Sequence, residues 1–94
     1  MLELEKALSP RVFKELVAAG SIAGATIRGG AKGLVIVLRV GMAERVLGAA
    51  RGGIRYFQRI DGAASILWQV GIREFIVDTS NWTPKTLSEK SADD

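Results

Sequence analysis

The sequence predicts a small α+β domain, and three features of its pattern lead to that class. Apolar side chains recur at helical spacing in residues 10–19 and again in residues 61–70, and a β-branched run bounded by glycines fills residues 33–40. Short glycine-containing turns separate successive strands, which is typical of an antiparallel meander. We therefore expect an antiparallel meander of four to five strands, with a short N-terminal helix and a second helix, of about residues 61–70, packed on the sheet.

The first helix is predicted from its start, its apolar stripe and its end. Ser9 before Pro10 is typical of a capped helix with proline at its first position. Gly20 follows the stripe and is a residue type that closes helices. We expect a helix over residues 10–19, which residues 1–8 either extend or leave frayed. The apolar stripe consists of Val12, Phe13, Leu16 and Val17.

Four strands are predicted between the two helices. The run at 33–40 is apolar on both sides until Arg39, which indicates a central strand. Glycine-rich turns precede it and separate the later strands from one another. The predicted strands span residues 22–28, 33–40, 43–49 and 54–57.

The C-terminal part of the domain is predicted as a capped helix followed by one more short strand, at residues 75–77. Asp61 is the expected N-cap. Gly71 is expected to end the helix, with Ile72 placed to contact Leu67 in a Schellman closure. The apolar stripe of this helix consists of Ala63, Ile66, Leu67 and Val70.

The chain has 94 residues, which is the length of one domain. Residues 83–94 are polar and include Pro84, so we expect a disordered tail there and a single α+β domain over residues 1–82. No run of 18 apolar residues is present, and the first six residues carry acids where a secretion signal needs positive charge. We expect a cytoplasmic location without membrane contact.

The composition removes most catalytic chemistry. The chain has no cysteine and no histidine, which excludes disulfides, thiolate nucleophiles, and the commonest metal ligand and general base. The acidic candidates Asp61, Glu74 and Asp78 are explained as a helix cap and as two solvent-facing residues beside a strand. We therefore predict no catalytic residue, no metal site and no cofactor, and we do not expect an enzyme.

The positive charge is concentrated in the middle of the chain. Residues 28–59 contain seven basic residues and one acidic residue, a net charge of +6, whereas the whole chain carries +3. Basic residues alternate with aromatic ones around Tyr56 and Phe57, a pattern that suits stacking and phosphate contact. The alternative is that these arginines only cover the solvent side of the sheet. The candidate nucleic-acid-binding residues are Arg39, Arg45, Arg51, Arg55 and Arg59.

The two tryptophans are candidate partner-binding residues. Trp68 lies off the apolar stripe of its predicted helix, and Trp82 lies in a loop before the tail. Tryptophan is enriched at contact sites because it buries a large area at low entropic cost. The alternative is that both side chains cover the edge of a small core.

Residues 33–82 resemble a known family in the spacing of their turns, caps and apolar positions. The pattern is similar to that of small plasmid- and mobile-element-borne, partition-associated proteins of the ParC type, which are unrelated to the topoisomerase subunit of that name. The resemblance implies a role in plasmid maintenance beside other partition or nuclease genes, and it implies no catalytic residue. The matching positions are Arg51-Gly52-Gly53-Ile54-Arg55-Tyr56-Phe57, Asp61, Ala63-Ala64, Leu67, Gly71-Ile72, Phe75, Val77-Asp78 and Trp82.

Three functions of different classes are consistent with the sequence. The first is a non-enzymatic accessory protein of plasmid maintenance that binds DNA weakly, or binds a DNA-bound partner such as another partition protein, through a basic sheet region. The second is a protein–protein interaction module, such as a homodimer joined through the sheet or the tryptophans, without nucleic-acid contact. The third is a small basic ribonuclease-type toxin. It ranks last because such toxins place paired helices before their strands, whereas one short helix is predicted here.

Overall fold

The computed structural model of the chain describes residues 7–84. It has the predicted α+β class, with two helices and a four-stranded, mostly antiparallel sheet. None of the helices in this part of the chain is long and apolar enough to cross a membrane. The predicted tail falls mainly on residues 85–94, which lie outside the described residues. The elements in chain order are α1 (Pro10–Ala18), β1 (Ile22–Gly30), β2 (Gly33–Val40), β3 (Ala43–Val46), α2 (Ile60–Gln69) and β4 (Ile76–Asp78).

The sheet has the strand order β3-β2-β1-β4. The first three strands form the expected antiparallel meander, each joined to the next by a two-residue turn. β4 differs from a simple meander because it pairs parallel to β1. The reason is that α2 intervenes before β4, and a parallel neighbour requires a long crossover of this kind.

The predicted strand at 54–57 forms only two isolated pairs, Ile54 with Gly48 and Phe57 with Leu34. β3 is also shorter than expected, because beyond Leu47 the position beside β2 is taken by Phe57, which pairs with Leu34. Leu8 pairs with Leu47 on the other edge of β3, so residues 7 and 8 do not extend the first helix. The expectation for residues 1–6 lies outside the described residues. The chain between β3 and α2 is therefore a ribbon with few ladder hydrogen bonds, and we call residues 47–59 the loop ribbon.

α1 is confirmed with nearly the predicted bounds. The Ser9 hydroxyl accepts a hydrogen bond from the backbone amide three residues on (3.1 Å), and Pro10 occupies the first turn. Gly20 follows the helix with a φ of 74°, a conformation that costs glycine little. The amide of Ser21 donates to the Leu16 carbonyl (2.9 Å), which completes a Schellman motif.

α2 begins one residue earlier than predicted, at Ile60, and this changes the role of Asp61. Arg59 is the N-cap residue and makes no side-chain capping hydrogen bond. The prediction that Asp61 caps the helix is therefore wrong, since Asp61 lies inside the first turn, where its charge still favours the helix dipole. The end is as predicted: Gly71 has a φ of 93°, and the amide of Ile72 donates to the carbonyl five residues earlier (2.9 Å).

The core lies on one face of the sheet, which we call the core face. β1 and β2 contribute alternate residues to it, and α2 lies across both strands. α1 adds Phe13, and the loop ribbon adds Leu47 and Phe57. The fully buried side chains of the largest size are Phe13, Ile27, Leu34, Ile36, Leu38 and Leu67.

The opposite face of the sheet carries no helix within residues 7–84, and we call it the open face. The strand register places its side chains in three rows across the strands, numbered from the β1–β2 hairpin end. The first row is Val35, Arg28 and Asp78. The middle row is Val46, Val37, Thr26 and Ile76. The third row is Glu44, Arg39 and Gly24.

Candidate functional site

The loop ribbon presents three of the five predicted arginines. Its tip is a tight turn in which the Ala49 amide donates to the Gly53 carbonyl (2.9 Å), and Gly52 and Gly53 both have positive φ. Arg51 lies exposed at this tip. The amide of Arg55 donates to the Leu47 carbonyl (3.1 Å), which holds the returning half of the ribbon beside the end of β3.

Phe57 fixes the ribbon to the sheet. Its amide and carbonyl exchange two hydrogen bonds of 2.8 Å with Leu34, and its ring is buried. A side chain at Gly33 would come within 2.8 Å of the Phe57 carbonyl oxygen, so glycine is needed for this approach. The Gln58 amide group donates to the Lys32 carbonyl (3.4 Å), which adds a contact between the ribbon and the hairpin turn.

Cationic and aromatic groups meet on both sides of this anchored segment. The guanidinium carbon of Arg55 lies 4.7 Å from the centre of the Phe57 ring. Tyr56 points to the other side, as alternate residues of an extended chain do, and the Lys32 ammonium lies 6.0 Å from its ring centre. Both distances are within the range of cation–π attraction. The predicted alternation of basic and aromatic residues is therefore present, but it is divided between two sides.

The remaining predicted arginines do not join this group. Arg39 is exposed in the third row of the open face, and Arg45 lies on β3 opposite Leu38, whose side chain belongs to the core face. Arg39 is five residues along β2 from the Leu34 position that holds the ribbon, a distance of about 16 Å in a strand. The other three predicted residues are Arg51, Arg55 and Arg59 along the loop ribbon, with Lys32 in the adjoining hairpin turn, and we call these four residues the basic end.

The two tryptophans have different surroundings. Trp82 is half-buried against the core and lies directly on Gly29, where an added side chain would come within 2.8 Å of the Trp82 Cγ. Trp68 is 57% exposed on α2, and the guanidinium carbon of Arg73 lies 3.9 Å from its ring centre. Trp68 thus forms an exposed stacked pair, whereas Trp82 is packed over a gap that glycine leaves in β1.

A family model for ParC-like proteins matches residues 8–86 of the chain. The chain belongs to the ParC-like family. A comparison with curated proteins and a comparison with solved structures each found no match. The match begins at Leu8, which pairs with Leu47, and it includes α1, the sheet, the loop ribbon and the Trp82 contact. The resemblance of residues 33–82 to the ParC type is confirmed at the level of this family.

The described part of the ParC-like domain, residues 7–84, contains no group of three acidic residues placed to hold a metal ion. Asp78 has a perturbed pKa. Its carboxylate accepts a hydrogen bond from the Ser80 amide (3.0 Å). This bond, followed by one from the Ser80 side chain and the charge of Arg28, lowers the pKa of Asp78 below its usual value. Asp78 is therefore held as a charged turn residue.

Two groups of the site were absent from the sequence-based prediction. Lys32 is one of the basic residues of the middle region but was not among the candidate nucleic-acid-binding residues, and its position beside Tyr56 depends on the pairing of Leu34 with Phe57, which is remote in sequence. Arg73 reaches Trp68 because the Gly71 closure reverses the chain after α2. The glycine after the helix was the one available signal for that reversal.

Proposed function

We propose that this ParC-like protein is a non-enzymatic accessory factor of plasmid maintenance that contacts DNA phosphates, or a DNA-bound partition partner, through the basic end. The proposal places it with the small plasmid-borne proteins of this type and not with the topoisomerase subunit of similar name. Family membership supports the biological setting, and the loop ribbon supports the mode of contact. DNA is expected to be held mainly by its backbone, with little dependence on base sequence.

The loop ribbon is the observation that carries the proposal. It exposes Arg51, Arg55 and Arg59, and no acidic residue occurs between Glu44 and Asp61 to neutralise them. The hydrogen bonds between Phe57 and Leu34 fix the base of the ribbon. Arginine suits such a surface because its planar fork pairs with phosphate oxygens and its plane stacks on bases.

Asp61 limits the strength expected of this contact. It occupies the first turn of α2, immediately after Arg59, and its negative charge faces any phosphate that approaches the helix start. The arginines also lie along a ribbon instead of in one dense patch. We therefore expect affinity for random duplex DNA on the order of micromolar at moderate salt, with a steep loss as salt rises.

The test is a titration of random duplex DNA between about 50 and 200 mM salt with the wild type and the Arg51→Ala, Arg55→Ala and Arg59→Ala variants. Each variant that removes one phosphate contact should reduce the slope of log affinity against log salt by about 1. Arg11→Ala is the matched control, since Arg11 is highly exposed on α1 and pairs only with Glu15 among the described ion pairs. Absent binding, or equal effects of Arg11→Ala and the ribbon variants, would contradict the proposal.

The stacked Trp68–Arg73 pair favours a second candidate, a protein-interaction module without nucleic-acid contact. Trp68 borders a shallow surface groove of about 260 Å³ that also includes Asp61, Ser65 and Gln69. An exposed tryptophan beside polar groups is a common centre of protein contacts. A pull-down from host cells with and without nuclease separates the two candidates. Capture that survives nuclease and is lost in Trp68→Ala would favour this second function.

A further inference from the structure

The open face of the sheet has an apolar centre. The middle row runs across all four strands as Val46, Val37, Thr26 and Ile76, without a charged residue. Ile76 lies on the edge strand β4 and is 66% exposed, whereas Val37 in the same row is only 5% exposed. The exposed apolar surface of this row is therefore at Ile76, which no helix within residues 7–84 covers.

A groove lies beside Ile76 on the same face. Gly24 has no side chain to fill its place in the third row, and an added Cβ there would meet no atom within 4 Å. The resulting groove has a volume of about 440 Å³, and its walls include Val37, Arg39 and Glu44 on one side and Glu74 and Ile76 on the other. The open face therefore carries both an apolar projection and an adjacent depression.

Charges of both signs lie on either side of the middle row. The third row contains Glu44 and Arg39, with Glu74 beside it in the groove, and the first row contains Arg28 and Asp78. An interface between identical copies must be self-complementary, because the same patch is used on both sides. A face that carries both bases and acids beside its middle row can pair with itself, whereas the basic end cannot.

The register also gives a geometry for the pairing. In a flat sheet, neighbouring strands are about 4.8 Å apart and alternate residues along a strand about 6.6 Å apart. Gly24 and Ile76 are diagonal neighbours on this grid, on the adjacent strands β1 and β4. Consider a two-fold axis that lies between two facing copies, parallel to their sheets, and crosses this diagonal at a right angle at its midpoint. Rotation about this axis exchanges the two positions, so that Ile76 of each copy faces the groove of the other. The same rotation carries Arg39 of one copy close to Asp78 of the other.

We propose that a second copy of this chain packs on the open face, with Ile76 of each copy seated in the Gly24 groove of the other. The strands of the two copies then cross at roughly 70°, nearer to the orthogonal than to the aligned class of sheet packing. The proposal is independent of DNA binding, since it uses none of the residues of the basic end.

The area of the open face determines how strongly we expect two copies to associate. Four strands and three rows cover roughly 20 by 20 Å, or about 800 Å² in total for two copies, at the small end of protein interfaces. We therefore expect a reversible dimer whose population depends on protein concentration in the micromolar range. It is expected to be absent in dilute solution.

The test measures mass by sedimentation velocity from about 5 to 500 µM protein. The wild type should shift from monomer to dimer, and Ile76→Lys and Gly24→Phe should each weaken dimerisation at least about tenfold. Gly24→Phe places a ring in the groove from a position where the added Cβ meets no atom within 4 Å. Circular dichroism and melting temperature in dilute solution show that each variant is folded.

Two matched controls keep the test specific. Val77→Lys makes the same change as Ile76→Lys at the next residue of β4, on the other face of the sheet. Ala23→Phe makes the bulky change at the exposed neighbour of Gly24, where the strand register shifts. Both controls should dimerise like the wild type.

A wild type that stays monomeric at 500 µM, or dimers that survive both test variants, would overturn the proposal. Equal losses in Val77→Lys would overturn it too, because they would indicate pairing along the β4 edge.

Discussion

The two faces of the sheet are built from the same strands, yet they differ in how their side chains are covered. On the core face, Ile27 and Ile36 are register partners and are fully buried under α2 and the loop ribbon. On the open face, the next partners, Thr26 and Val37, have no element above them within residues 7–84. Val37 is nevertheless only 5% exposed. Burial at Val37 must therefore come from its neighbours on the sheet itself.

The covering group on the open face is an ion pair. The Arg28 guanidinium and the Glu44 carboxylate are 3.7 Å apart, although they belong to β1 and β3, on opposite sides of β2. Val37 lies at the midpoint of that diagonal in the register, so the two long side chains pass above it. The aliphatic parts of such side chains shield apolar surface while their charged ends stay in water. The core face thus depends on packing, and the open face on long polar side chains.

The largest expected difference between the faces is in the cost of losing a side chain. Leu67→Ala, at a fully buried residue of α2, should lower the free energy of unfolding by about 2–5 kcal/mol, because it leaves a cavity. Ile76→Ala on the open face should change the stability of the monomer little. Urea unfolding of both variants in dilute solution measures the contrast. A small loss in Leu67→Ala would mean that α2 is not docked as described.

The second contrast uses two glycines of β1 that face opposite sides. Gly29→Val should destabilise the protein by about 1–3 kcal/mol, because the added atoms would overlap Trp82. Gly24→Val adds the same atoms in open space and should leave stability unchanged or raise it, since valine favours strands. Thermal melting of the two variants is the measurement. Equal melting temperatures would show that Trp82 does not pack on Gly29.

The core face was largely predictable from sequence, whereas the open face and the basic end were not. The burial of Leu67 and the closure at Gly71 follow from local spacing and from one residue type, and both are found. The predicted strand at 54–57 is reduced to single pairs, because Phe57 pairs with Leu34 of β2, a contact remote in sequence. Residues such as Arg39 and Arg55 looked equivalent in the sequence, but the register assigns them to different surfaces.

The third prediction concerns the Arg28–Glu44 pair over Val37. Because both side chains are about half exposed, the attraction between the two charges is expected to contribute less than about 1 kcal/mol to the free energy of unfolding. A double-mutant cycle with Arg28→Met and Glu44→Gln separates the charge interaction from the shielding, since both replacements keep most of the side-chain length. High salt should reduce the measured coupling. Coupling that is zero at low salt would show that the charge interaction does not stabilise the fold and that any contribution of the two residues comes from shielding Val37.

The smallest expected effect is the pH dependence contributed by Asp78 at the edge of the open face. Hydrogen bonds from Ser80 lower its pKa in the folded protein below the ordinary value of 3.8. A lowered folded-state pKa means that the unfolded chain binds the proton more tightly, so this group stabilises the fold above about pH 4. That contribution is lost as the pH falls through the folded-state pKa.

Melting temperatures between pH 2 and 6 should therefore fall less steeply toward acid in Asp78→Asn than in the wild type. The asparagine side-chain oxygen can still accept the Ser80 amide hydrogen, so the turn is retained while the titration is removed. Identical acid profiles for the two proteins would show that the hydrogen bonds from Ser80 do not lower the pKa of Asp78 in the folded protein.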